Sequence, residues 1–339
     1  MSGLIGEESR SGVRWRRWLN WIGPLAGLVA VYALFALIAQ RSFVSAQNLE
    51  TIARQTVIVG TAALGMTIVM VAGGIDLSVG SIIALSTVVI AAFLQAGAPP
   101  VVAALAGIAT GAVCGVINGI LIIRLRLLPF IATLGTLLIL RGVAKGIARE
   151  QKIDAPITWL SRLVAASGHE QRWFHLPPGV WIMAILAVGV GVLLHYTRLG
   201  RHIVAVGSNE QTARLCGVAV ERVKLIVYTL GGAFAGLAGL MQFSRLEVGD
   251  PTVAVGQELD VIAAVVIGGG SLSGGEGSVF GSLVGALIMM VIRSGCSQTL
   301  VRVGGSQMLL PNWVQEIVTG AIIVLAVALD RLRSRRASE

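Results

Sequence analysis

The stretch Gly73-Gly74-Ile75-Asp76-Leu77-Ser78-Val79-Gly80-Ser81 separates the apolar run Thr56–Ala72 from the apolar run Val79–Gln95 and sets one carboxylate between them. Backbone groups left unpaired in lipid are costly, so a glycine break at this place must face protein or a water-filled cavity. An ionisable residue there either caps the helix that follows or marks a polar path through the membrane. Both readings stand for Asp76 at the level of sequence.

The break recurs in Gly268-Gly269-Gly270-Ser271-Leu272-Ser273-Gly274-Gly275, and both copies carry Gly-Gly-x-x-Leu-Ser, at 73–78 and at 268–273. Interrupted spans in corresponding positions, with weak internal symmetry, are a signature of transporter folds, and they predict an internal repeat. Gly73, Gly74, Gly80, Gly268, Gly269 and Gly270 are therefore expected to form broken or re-entrant helices. Asp76, Ser78 and Ser271, with Asn118 and Thr133 embedded in neighbouring apolar runs, are the candidates to hydrogen-bond a polar solute.

Around the breaks the chain is overwhelmingly apolar. Of its 339 residues 55% are hydrophobic and only 13% charged, and a mean hydropathy of +0.84 excludes an ordinary soluble globule. Further apolar runs extend over Ile22–Ala39, Val101–Ile123, Leu128–Ala148, Val180–Tyr196, Leu225–Phe243, Leu259–Leu272, Val279–Ile292 and Trp313–Leu329, of which Leu259–Leu272 and Val279–Ile292 are short and either cross or re-enter. The fold expected is an all-α polytopic bundle of about ten transmembrane helices spanning 22–330, with tails at 1–21 and 331–339.

Charge orients this bundle. Fifteen of the 26 lysines and arginines fall on one side: Arg10, Arg14, Arg16 and Arg17, then Arg124 and Arg126, then Arg198, Arg201, Arg214, Arg222 and Lys224, then Arg331, Arg333, Arg335 and Arg336. By the positive-inside rule that side is cytoplasmic and carries both termini. The net charge of +9 then reports topology, and no nucleic-acid partner is expected. The segment 149–178, with Trp159 and Trp173, reads as an outer loop, and 197–224 as a long polar inner loop. Arg141 is expected to pair with Asp260 or Glu316. Gly111, Gly115 and Gly119 make a small face suited to close helix packing, as do Gly281 and Gly285.

A phosphate-binding Walker A loop needs Gly-Lys followed by Ser or Thr. The only lysines, Lys145, Lys152 and Lys224, follow Ala144, Gln151 and Val223. No catalytic residue is expected in the chain, and any use of ATP calls for another subunit. Cys114, Cys216 and Cys296 and the four histidines match no metal-ligand spacing, so neither metal nor cofactor is expected.

Three blocks of sequence resemble one family. The run Met66–Ser81, the run Leu199–Glu210 continuing through Ala213–Val218, and the run Leu259–Leu272 resemble the permease subunits of the bacterial ribose, xylose, arabinose and galactose class of ABC importers. The resemblance implies a second permease copy, an ATPase subunit with two fused cassettes and an extracytoplasmic sugar-binding protein, all at the inner membrane. It implies that Asn209 to Gly217 form a short coupling helix resting in a groove of the ATPase, with Glu210 and Arg214 on one face and Gly217 as its glycine cap. Phe130 is the aromatic candidate for stacking on a sugar ring. A permease for an amino acid or a nucleoside, or a secondary transporter with Asp76 as its ion site, are the alternatives that the residues leave open.

Overall fold

The computed structural model describes residues 23–165, 176–303, 306–310, 313–322, 324–325 and 328. The basic residues Arg10, Arg14, Arg16 and Arg17, the outer-loop residues Arg172 and Trp173, and Arg331, Arg333, Arg335 and Arg336 lie outside these. The described chain is helical almost throughout: α1 (Gly23–Ile38), α2 (Ala46–Val71), α3 (Val79–Gln95), α4 (Pro100–Arg124), α5 (Pro129–Ile147) and α6 (Pro178–Tyr196) form its first part. The second comprises α7 (Arg198–Ser208), α8 (Glu210–Leu215), α9 (Val220–Leu246), α10 (Gln257–Ile267) and α11 (Val279–Ser297), followed by helix over 313–322. Two small antiparallel ladders interrupt them, β1 (Ile153–Asp154) with β2 (Val248–Gly249) and β3 (Leu300–Val303) with β4 (Ser306–Leu309).

Each boundary has a local cause. Pro100, Pro129 and Pro178 stand at the first helical position of α4, α5 and α6, where a missing N–H costs nothing. Ser45, Thr197 and Ser278 cap α2, α7 and α11 by accepting from the backbone N–H three residues on. The Ser45 cap starts α2 ten residues before the apolar run that it contains, so 26 residues are helical, a length of roughly 39 Å at 1.5 Å per residue.

Among the described residues six helices, α2, α4, α5, α6, α9 and α11, are long and apolar enough to cross a membrane, while α1 and α3 are shorter apolar helices. This is an all-α membrane protein. Buried residues make up 83% of the apolar stretch of α2 but only 28% of that of α5 and 22% of that of α6, so α2 is the axis and α5 and α6 turn apolar faces outward. Helix α4 meets α9 through glycine: a side chain at Gly111 or Gly115 would strike the backbone of Gly232 or Tyr228. The same holds where α10 meets α11, at Gly268 against Gly281 and Ala264 against Gly285. Small residues thus bring backbones together where apolar burial supplies no drive between helices in lipid.

The segment between α5 and α6 is fastened to the end of α9. Ser244 Oγ accepts from Val164 N at 2.9 Å and donates to Ser161 O at 3.1 Å, and Arg54 Nε donates to Val164 O at 2.6 Å. Arg141 pairs with neither expected partner among the described residues. Its guanidinium donates to the carbonyls of Pro251 and Val253, at 3.1 and 2.6 Å, in the loop leading into α10. Asp260 faces α11 and pairs with Arg293 at 3.0 Å, and among the described residues no ion pair joins Arg141 to Glu316.

Candidate functional site

Both glycine breaks begin as the same kind of helix end. After α2, the N–H of Gly73 bonds Met70 O and that of Gly74 bonds Val69 O. After α10, Gly269 bonds Val266 O and Gly270 bonds Val265 O. These are Schellman caps, and the residue after each cap sits at φ +79° (Gly73) or +89° (Gly269), a conformation that glycine adopts without a Cβ clash. The structural match pairs Gly73 with Gly269, one position later than the Gly-Gly-x-x-Leu-Ser pattern pairs them, because the second helix keeps Gly268 as its last cap residue. Asp76 consequently corresponds to Leu272, and the second break has no carboxylate at that place.

Asp76 organises the first break. Its Oδ1 accepts from the N–H of Ser78 at 2.8 Å and from the hydroxyl of Ser78 at 2.6 Å, forming a turn that leads into α3. Asn118, from α4, donates through Nδ2 to Ser78 Oγ at 2.8 Å and more weakly to Asp76 at 3.4 Å. Thr133, from α5, donates to Ile75 O at 3.3 Å while also bonding Pro129 O in its own helix at 2.8 Å. All four side chains are at most 1% exposed. Four candidates from three distant stretches of sequence thus converge on the break. Gly80 lies against the Glu258 carboxylate, and Gly74 against the Tyr228 hydroxyl.

Two candidates lie elsewhere. Ser271 is held in a turn of its own, accepting from Ser273 N at 3.2 Å. Phe130 is 51% exposed on the outer face of α5, because Thr133, three residues on, takes the inward face.

The segment Asn209 to Gly217 is a helix with both ends closed. Asn209 Oδ1 accepts from Thr212 N at 2.8 Å to start α8. Gly217 at φ +82° ends it, with Gly217 N on Arg214 O and Val218 N on Ala213 O completing another Schellman cap. Glu210 pairs with Arg214 one turn on at 3.4 Å and with Lys224 of α9 at 2.6 Å, and Arg214 also pairs with Glu221 at 2.5 Å. A six-residue helix has no independent stability. Its caps and these four charges fix it to the start of α9.

Helix α7 lies directly against the breaks. Gly207 packs on the carbonyl of Val71 and the backbone of Gly275, Gly274 packs on Gly73 and Gly207, and Gly275 N donates to Val71 O at 2.9 Å. Beside this knot a cavity of about 220 Å³ is walled by Gly73, Gly74, Ser208, Glu210, Lys224 and Tyr228, among others. Sequence reasoning missed Gly207, Lys224 and Tyr228 as parts of the site. Gly207 sits within one of the three resembling blocks but carries no functional group, and Lys224 and Tyr228 are ordinary residues of an apolar helix until folding places them here.

The comparisons with known proteins bear on the whole chain. Residues 48–327 match the family described as branched-chain amino acid transport system, permease component. The ribose import permease protein of Escherichia coli (strain K12) is 39% identical over 289 residues, covering 85% of this chain and 87% of that protein. That of Bacillus subtilis (strain 168) is 40% identical over 298 residues, 88% of each. The fructose import permease protein of Rhizobium meliloti is 37% identical over 295 residues, 85% of this chain and 79% of that protein. No solved structure matches the chain. With six helices among the described residues able to cross a membrane and matches of this extent to importer permeases, the chain belongs to the permease family of sugar ABC importers.

Proposed function

We propose that the chain passes a monosaccharide or related polyol across the inner membrane as one of two permease copies, driven by an ATPase subunit with two cassettes and supplied by an extracytoplasmic sugar-binding protein. The observation that carries this reading is α8, a capped, outward-facing helix whose neighbour α7 rests on both glycine breaks. In this reading α8 seats in the ATPase, and Asn209, Glu210, Arg214 and Gly217 form the coupling element. ATP-driven movement there reaches Gly73, Gly74, Gly268, Gly269 and Gly270 through Gly207.

The passage in this reading is lined by Asp76, Ser78, Asn118, Thr133 and Ser271, with Phe130 as the aromatic that stacks on a sugar ring. The shorter helices α1, α3 and α10, with the helix from 313, add to the six long ones to make about ten crossings in a duplicated scaffold, and both tails are cytoplasmic. A passage needs only weak contacts, since a solute held tightly leaves slowly. A neutral solute fits the polar groups at the first break, which are hydroxyls and an amide around one carboxylate whose Oδ1 is already hydrogen-bonded. A zwitterionic amino acid, which the family description names, would ask for a cation there, and the cluster supplies none.

The test is uptake of labelled ribose and fructose into proteoliposomes holding the chain with its ATPase and binding protein. Uptake that needs ATP and all three components supports the reading. Uptake by the chain alone that follows an ion gradient sinks it.

A further inference from the structure

Helix α8 has an inner face, a charged flank and an outer face, and the chain itself uses only the first two. At about 100° per residue, Ala213 points nearly opposite to Leu215. Ala213 is 4% exposed, whereas Leu215 is 88% exposed. Gln211 and Thr212, both exposed, share an arc of about 100° with Leu215. The charges lie off this arc and lean on the start of α9, where Glu210 meets Lys224 at 2.6 Å and Arg214 meets Glu221 at 2.5 Å. Two acids and two bases close on one another, so these four charges sum to zero. The outer face is therefore uncharged, with Leu215 as its one large apolar side chain.

A single exposed leucine is ordinary on a protein surface. This one sits on a helix fixed by a cap at each end and by ion pairs along its flank, so nothing in the chain needs its side chain. Bilayer hydrocarbon does not cover it, because Gln211 and Thr212 share its arc and Arg214 stands beside that arc. The centres of protein interfaces are apolar and depleted of charge. Burying one leucine there strengthens association roughly tenfold to a hundredfold. We infer that Leu215 is the anchor of α8 in the ATPase subunit, entering an uncharged apolar pocket, while Glu210 and Arg214 hold the helix in place without binding the partner themselves. The inference rests on the importer reading above and adds to it the chemistry of the partner surface: apolar at the centre, with hydrogen-bonding groups beside it for Gln211 and Thr212.

The experiment titrates the purified ATPase subunit onto the full chain in nanodiscs, for wild type, Leu215→Ala, Leu215→Gln and Leu215→Met. All four are expected to melt alike, since the side chain is almost wholly exposed. Leu215→Ala and Leu215→Gln are expected to bind at least about tenfold more weakly. Leu215→Met is expected to stay within about threefold of wild type, because methionine keeps the apolar volume. The factor between wild type and Leu215→Ala is expected to be the same at about 0.1 M and about 0.5 M salt, since screening acts on charges. Binding by Leu215→Ala close to that of wild type overturns the anchor, as does a factor that vanishes at the higher salt. Weaker pairing of the two permease copies with ATPase binding intact assigns Leu215 to that interface and overturns the anchor too. Each of these leaves the importer reading standing, whereas wild type that binds no ATPase overturns that reading and the anchor with it.

Discussion

Gly275 donates its backbone N–H to the carbonyl of Val71 at 2.9 Å, joining the end of α2 to the second glycine break, and Gly207 of α7 packs against both residues. Three segments far apart in sequence therefore meet through backbone alone. A Cβ on Gly207 has nowhere to go, because its nearest neighbours are the Val71 carbonyl and the Gly275 amide.

Gly207→Ala is accordingly expected to push α7 off the knot, at a cost of about 1–3 kcal/mol for overpacking. If α7 transmits movement from α8, this variant splits two rates: ATP hydrolysis by the complex continues while solute moved per ATP falls several-fold. A parallel loss of both, or no change in their ratio, shows that the contact is only packing.

The charge group at α8 leads to a different outcome. Glu210, Arg214, Glu221 and Lys224 are partly exposed, and each such pair contributes only about 0.2–1 kcal/mol. Glu210→Arg should leave the melting temperature of the purified chain within a few degrees of wild type, yet weaken ATPase association at least tenfold by setting a third cation beside Arg214 and Lys224. The exchange Glu210→Lys with Lys224→Glu restores their pairing. If the exchange also restores association, the role of Glu210 is to position α8; if only Glu210 itself binds the ATPase, the exchange stays defective. Co-purification at graded salt reads both.

Asp76 separates charge from geometry. Its Oδ1 accepts two bonds from Ser78, and asparagine keeps an acceptor at that atom whereas alanine does not. Asp76→Ala strands the buried hydroxyl of Ser78 and is expected to destabilise by about 1–3 kcal/mol. Asp76→Asn is expected to melt close to wild type. Thermal unfolding in detergent ranks the three proteins, and equal melting of the two variants refutes the turn as the structural role of Asp76.

Much of this was legible in the sequence, for identifiable reasons. The breaks were visible because consecutive glycines followed by Leu-Ser, one copy with an aspartate, interrupt the apolar runs, whereas Gly217 as a cap came only with the family resemblance. The alternation of apolar and polar segments placed α3 at Val79–Gln95 with no error at either end. Convergence was not legible: nothing in the spacing of Asp76, Asn118 and Thr133 says that α4 and α5 bring the last two to the first. The pairing of Asp260 with Arg293 rather than Arg141 depends on α10 lying against α11, a packing set by Gly268, Gly281 and Gly285, whose missing side chains carry no directional signal. The one-residue offset between the breaks likewise comes from where each helix ends, which a repeated pattern does not show.

The loop at the far end from α8 supplies a pH-dependent prediction. Burial alone would raise the pKa of Asp250, but the hydroxyl and N–H of Thr252 donate to its carboxylate at 2.6 and 2.8 Å, and Lys152 approaches it at 3.3 Å. Together these outweigh burial and hold the group below the usual carboxylate range. A carboxyl whose folded pKa is lower than its unfolded one stabilises the fold above the unfolded value, about 3.9, and loses that contribution as pH falls through the folded value. The melting temperature of Asp250→Asn should therefore lie below that of wild type at pH 6, and the two should converge as pH falls below about 4. In a Lys152→Ala background, which removes only the smaller and more exposed contribution, that convergence should be complete at a slightly higher pH. A gap between wild type and Asp250→Asn that stays constant from pH 6 to pH 3 would place the effect of Asp250 in packing of the loop against α3 and not in its charge.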